Sequence, residues 1–376
     1  MKGIFLFLIC SSLLFQAIPV FAQEGVLIQD KVEIVRAKVV EVLNQEQRDV
    51  PGTEVQSIYQ TIKAEILEGR EEGKMITVEN DFLVLKAGDK FFLRHNIDGL
   101  SGREMYAVRD IDRRGVMFAF IALFVGVVLV FSGKQGLKSI LSLMGSFFVI
   151  LYVLVPSLLK GYPPVLTSII IAAVILFIAI YLTHGFNRES TVAFLGTVSA
   201  VMLTGILAYL AVTFARLSGF ASDEAVYLNF NTNGALDFTG LLLGGIMIGV
   251  LGVLDDIAVT QAAVVSELYN SAPHLSRKEI YKKALRVGRE HVGALVNTLA
   301  LAYTGASLPL LLLFSISDFS GASIINQEIF ATEIIRTAVG SIGLILTVPI
   351  TTLLAIYMLK GYKIKYQDQH IPHTHH

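Results

Sequence analysis

The chain has 376 residues, of which 54% are hydrophobic and 16% charged, with a net charge of −1. Soluble domains are about one-quarter charged, and a mean hydropathy of +0.65 points to a membrane protein. The near-zero charge says little about partners, and one cysteine, Cys10, excludes a disulfide framework within the chain.

The N-terminus has the pattern of a secretory signal. Lys2 supplies a basic start, residues 4–15 an apolar core, and Val20-Phe21-Ala22 a small-residue cleavage pattern. This predicts a signal peptide over residues 1–22, with an uncleaved anchor helix over residues 4–22 as the alternative. Cys10 follows the bulky Ile9 inside the apolar core and does not resemble an acylation site. Removing the signal would leave no cysteine, and therefore no thiolate metal site.

Residues 23–114 are polar and rich in β-branched side chains. Residues 31–43 and 61–68 alternate apolar and polar side chains, as half-buried strands do. Turns at residues 69–73 and 86–89 lead into short strands at 75–78 and 90–93, and residues 105–111 form a last strand. Five or six short strands with glycine turns predict a small extracytoplasmic all-β domain, an OB-like barrel. Such folds host many functions. The segment has no clustered His or Cys and no paired acids that look catalytic. Its Glu/Lys mixture reads as a solvated face, with a ligand or partner face as the alternative.

Residues 115–360 read as a membrane all-α bundle of seven transmembrane helices, at residues 116–132, 137–159, 165–182, 191–217, 239–265, 291–316 and 334–359. Lys134, Lys138, Arg188 and the basic stretch of residues 277–289 follow odd-numbered spans, as do Lys360, Lys363 and Lys365. The opposite loops carry Asp223, Glu224, Asp237, Asp318 and Glu328, with Lys160 and Arg216 as exceptions. The positive-inside rule therefore places the N-terminal domain outside and the C-terminus inside a bacterial cell membrane. Residues 276–290 read as an amphipathic helix on the inner leaflet. Aromatic side chains are sparse there and the bilayer accounts for the charge, so no nucleic-acid partner is expected.

The fifth span concentrates the chemistry. Gly240, Gly244, Gly245 and Gly249 make small-x-x-x-small pairs suited to close helix packing, and Gly252 precedes Asp255 and Asp256 by about one turn. Ionised carboxylates within a bilayer cost at least about 2.5–3.5 kcal/mol each by insertion scales, so intramembrane acids are proton or ion sites by default. Two adjacent acids titrate as a coupled pair. If the helix instead ended near Leu254, both acids would only mark the inner interface. An intramembrane aspartyl protease needs carboxylates that face each other, whereas helix neighbours point about 100° apart. No third acid lies centrally in another span, so no enzyme activity is expected. The candidate polar partners are Asn297, Thr298 and Thr304 on the sixth span, Thr347 and Thr351 on the seventh, and Thr204, seven residues after Thr197, on the fourth. Each Thr has the simpler option of bonding its own helix backbone, and Asn297 that of a packing role.

With these residues placed, the whole chain resembles the YibE/F-like family of bacterial membrane proteins, most visibly in Gly-Val-Leu-Asp-Asp-Ile-Ala-Val-Thr-Gln at residues 252–261. Residues 248–313 are also similar to the stretch of RND-type permeases that holds an intramembrane Asp-Asp pair. The likeness includes Lys278-Glu279, the Gly-Ala-Leu-Val run at residues 293–296, and Pro309. In RND permeases that pair carries the protons that drive transport, so the resemblance implies that Asp255 and Asp256 bind protons. It covers under a fifth of the chain. RND permeases have two homologous halves, the second supplying a Lys near the acids; this chain has one half and no Lys in the interior of a span. A homodimer would restore two halves.

The expectation is a proton-coupled permease or transport module of unknown solute, without cofactor or metal. The alternative is a membrane scaffold or sensor whose outer domain binds a partner. The tail, residues 361–376, holds four histidines whose spacing fits no fixed tetrahedral metal site.

Overall fold

The computed structural model describes residues 31–49, 52, 56–81, 83–99, 101–316 and 320–360. The signal-peptide reading, Cys10, Asp318 and the histidine tail lie outside the described residues. The chain divides into two compact units, residues 1–124 and 125–376.

In the first unit, β1 (Lys31–Asp49), β2 (Gln56–Ile66), β3 (Met75–Asn80), β4 (Lys90–Ile97) and β5 (Glu104–Ile111) form one sheet of order β3-β2-β1-β4-β5. All neighbours are antiparallel. The alternation puts Val35, Ala37 and Val39 of β1 into a core with Ile62, Ala64, Ile66, Val78, Phe91 and Leu93. Strand β1 runs further than its alternating stretch. Its first part pairs with β4 and its second with β2, and register shifts after Val39 and Val42 mark irregularities in the β1–β2 ladder. Such bulges bend a strand and increase its twist. The sheet curls into a half-barrel in which its two edge strands, β3 and β5, approach each other. The turn after β2 needs Gly69: its φ is +94°, and a Cβ there would sit 2.9 Å from Cγ1 of Val35. Gln60 pins the loop before β4. Its amide donates to the carbonyl of Leu85 (2.9 Å) and its Oε1 accepts from the N–H of Leu85 (2.8 Å).

The helices are α1 (Arg114–Val149), followed by a π-helical stretch (Ile150–Leu154), α2 (Val155–Leu159), α3 (Pro164–His184), α4 (Arg188–Phe214), α5 (Asp223–Asn231), α6 (Phe238–Ser271), α7 (Arg277–Ala306), α8 (Leu308–Ser315), α9 (Gly321–Ile325) and α10 (Glu328–Met358). Five runs are long and apolar enough to cross a membrane: Arg114–Leu159, α3, α4, α6 and α10. Helices α7 and α8, bent by 65° at their junction, qualify together as a sixth.

Seven separate spans were expected, and the difference has two causes. The first two expected spans fall in one 46-residue run. That run is broken at Gly133, whose φ of 50° and ψ of −129° are not helical. A Cβ on Gly136 would lie 2.6 Å from the carbonyl oxygen of Val128. Eight residues of straight helix span about 12 Å, so the chain doubles back at Gly133. The second cause is that the sixth expected span is broken between α7 and α8. The basic segment, expected as a separate interfacial helix, is the first half of α7, started by a capping box between Ser276 and Glu279. The sixth span bends where Pro309 sits in the first turn of α8, a position that cannot extend the preceding helix.

Helix α6 packs against α3, α4, α7 and α10, and its Val250, Leu251, Leu254 and Ile257 lie in the central core with Leu176, Val201, Leu344 and Val348. Close approach relies on glycines. Gly244 meets Ser168 and Gly240 meets Pro164, both on α3; Gly343 of α10 receives Thr204, and Gly196 of α4 receives Thr351. Gly245 and Gly252 face open space, and a Cβ on Gly249 would lie 3.3 Å from the Tyr303 hydroxyl. Of the five expected packing glycines, therefore, Gly240 and Gly244 serve the α3 contact.

Candidate functional site

Asp255 and Asp256 sit midway along α6, which continues to Ser271 and does not end at the acids. At about 1.5 Å per residue, roughly 25 Å of helix lies on either side. Because successive residues turn by about 100°, the two carboxyls leave the helix in different directions. Asp255 is half-buried, and its Oδ1 is enclosed without a hydrogen-bond partner among the described residues. Asp256 is exposed in the single chain, and its Oδ2 lies 3.9 Å from Nε2 of His291 on α7.

A second imidazole is close by. His184 ends α3 and lies within the electrostatic reach of both Asp256 and Lys138. A cavity of about 140 Å3 is lined by His184, Asn187, Glu189, Ser190, Val259 and Ala263, among others. Val259 and Ala263 follow Asp256 by three and seven residues, on the same face of α6. One turn further, the Ser266 hydroxyl donates to Glu189 (2.6 Å). Polar groups thus extend from the acidic pair along α6 toward its C-terminal end.

None of the six expected polar partners hydrogen-bonds to the pair among the described residues. Thr204 and Thr347 are buried but bond the backbone carbonyls of Ala200 and Gly343, one turn earlier in their own helices. The Thr351 hydroxyl is enclosed without a partner, against Gly196. Asn297, Thr298 and Thr304 are exposed. The reason is the register of α7, whose buried residues are Ile280, Ala284, Gly288, Val292 and Leu299. That apolar stripe takes the inward face, and Asn297, two residues from Leu299, lies about 200° around the helix.

Sequence reasoning missed His291. It reads as the first residue of the sixth span, and only the pairing of α6 with α7 brings it opposite Asp256. It also missed Gln261 as a lock between helices. The Gln261 amide donates to the Ala284 carbonyl (2.9 Å) and the Thr352 hydroxyl (2.7 Å), joining α6, α7 and α10.

Apolar helices around a central acidic helix, with a curved β sheet in a separate unit, define a multi-pass membrane protein. The profile of the YibE/F-like protein family matches residues 120–361, so the chain belongs to the YibE/F-like family. Comparison with curated proteins and with solved structures gives no match. The likeness to RND-type permeases therefore rests on the residues quoted above.

Proposed function

We propose that this protein is a proton-coupled permease, or the transport module of one, in which Asp255 and Asp256 take up and release protons within the membrane. The observation that carries this reading is an acidic pair at the middle of the central helix with an imidazole 3.9 Å from one carboxylate. Charge in hydrocarbon survives only when it is neutralised, paired or wetted. His291 supplies a partner that can balance Asp256 while it is ionised. It takes the role that a lysine from the second half plays in the RND resemblance. The polar cavity at His184 and Glu189 gives protons a route along α6 toward its C-terminal end.

In this reading the Arg114–Leu159 run is two spans and the bent pair α7–α8 is one, which makes seven. The N-terminal unit lies outside the bacterial cell membrane and the C-terminus inside. Bringing β3 onto β5 would close the half-barrel into an OB-like ring. A second copy of the chain packs on the open face of Gly245 and Gly252 and supplies the missing half. The protein is a carrier of a solute whose chemistry is open, not an enzyme.

The test is proton flux into vesicles reconstituted with the purified protein under an imposed pH gradient. Protein-dependent flux that falls to background in Asp255→Asn and Asp256→Asn supports the reading. Flux that is equal in both variants and the wild type refutes it.

A further inference from the structure

The N-terminal unit carries a cluster that its sequence did not suggest, and it is independent of the proton reading. His95 on β4 pairs in register with Tyr106 on β5, and Ile97 with Glu104. The loop after β2 brings Glu71 to the same place. These residues sit where the edges of the curved sheet, β3 and β5, come together. One ligand atom from each of Glu71, His95 and Glu104 lies within 4.8 Å of the other two.

His95 is the telling member. It is only 6% exposed, and its Nε2 is enclosed with no hydrogen-bond partner among the described residues. That nitrogen points at Oε2 of Glu104 from 3.8 Å, and Nδ1 lies 3.8 Å from Oε2 of Glu71. The Tyr106 ring stacks on the imidazole, with centroids 4.6 Å apart and planes 15° from parallel, and so fixes its orientation. Buried polar atoms in folded proteins are overwhelmingly hydrogen-bonded, so an enclosed ring nitrogen left bare beside two carboxylates calls for a ligand.

We propose that Glu71, His95 and Glu104 bind a divalent cation of the zinc type, which clasps the seam of the half-barrel. One imidazole and two carboxylates suit a borderline metal such as zinc better than magnesium or calcium, which prefer oxygen alone. Zinc binds such ligands at about 2.0–2.2 Å, which in a tetrahedron puts ligand atoms about 3.4 Å apart. One nitrogen of His95 and one oxygen of each carboxylate lie within 4.8 Å of one another, so the ligand atoms need to close by at most about 1.4 Å. Tyr106 provides outer support, because its hydroxyl lies 2.6 Å from Glu71 and 2.9 Å from Glu104.

Lys74 stands beside the place the cation would take. Its Nζ lies 2.5 Å from Oε1 of Glu71 and 3.4 Å from Oε2 of Glu104. Its side chain is 44% exposed, so it can swing outward, and none of its contacts satisfies Nε2 of His95.

The test is calorimetric titration of zinc chloride into the chelator-stripped, full-length protein in detergent. His370, His373, His375 and His376 are replaced by Ala to remove competing imidazoles. The parent should bind one zinc per chain and melt at a higher temperature with zinc than without. Glu104→Gln and His95→Gln should each weaken binding at least tenfold, and Lys74→Met should tighten it several-fold. If His95→Gln fails to fold, the half-exposed Glu104 keeps the test open. Absence of stoichiometric binding, equal affinity in the parent and Glu104→Gln, or weaker binding in Lys74→Met would overturn the proposal.

Discussion

Nε2 of His291 lies 3.9 Å from Oδ2 of Asp256, so α7 sets an ionisable base against the acidic pair of α6. Histidine changes charge near neutral pH, unlike lysine. In the proposed function the imidazole balances Asp256 while it is ionised and relays protons to it. His291→Gln should therefore slow proton flux by about tenfold, equivalent to about 1.4 kcal/mol. Flux in His291→Gln equal to that of the wild type would mean that the imidazole plays no part.

Adjacent glycines on α6 should respond differently to a large side chain. A Cβ on Gly244 runs into Ser168 of α3, whereas one on Gly245 meets nothing within 4 Å. Gly244→Leu should destabilise the bundle by about 1–3 kcal/mol, read as a lower melting temperature in detergent. Gly245→Leu should leave that temperature unchanged while weakening association between copies, read by light scattering. Equal melting temperatures for the two variants would contradict the assigned helix faces.

Gln261 ties three helices through one amide. Cross-helix hydrogen bonds in membrane proteins average about 0.6 kcal/mol and reach about 1.7. Gln261→Leu should therefore lower stability by about 1 kcal/mol while keeping the side-chain volume. Gly288→Ala should have a similar effect, because a Cβ there would lie 2.9 Å from the Gln261 Oε1 and also press on Val348. Thermal unfolding of the two variants checks both.

The N-terminal unit should lose stability in acid. The Lys74 hydrogen bond first, then that of Tyr106, holds the Glu71 carboxyl below its ordinary value of 4.5. A carboxyl with a depressed folded value binds fewer protons folded than unfolded. Its contribution is complete above the unfolded value and is lost as pH falls through the folded one. Between about pH 6 and about pH 3 the wild type should therefore lose more melting temperature than Glu71→Gln. Parallel pH profiles for the two proteins would mean that the Glu71 bonds contribute nothing.

How far the sequence could be read varied with the physics of each part. The strands were legible because water on one face and core on the other enforce alternation, as at Val35, Ala37 and Val39. The apolar runs were legible by length alone. The facing of side chains within the bundle was not, because lipid and protein core are both apolar and leave no periodic signal. Asn297 therefore read as a partner for the acids, although the stripe through Gly288, Val292 and Leu299 turns it outward. The acids stood out by residue type, but His291 reaches Asp256 only through the pairing of two helices. The Glu71–His95–Glu104 cluster was hidden for a similar reason: the Tyr106 hydroxyl meets Glu71 across 35 residues of chain only because the sheet curls.

The central claim is that the acidic pair gains and loses a proton inside the membrane. Infrared difference spectroscopy of the lipid-reconstituted protein, recorded as bulk pH is changed, tests this most directly. The account predicts a carboxylic-acid carbonyl band that appears and disappears with pH in the wild type and is lost or shifted in both Asp255→Asn and Asp256→Asn. A spectrum with no such band, or with the same band in the wild type and both variants, would contradict it.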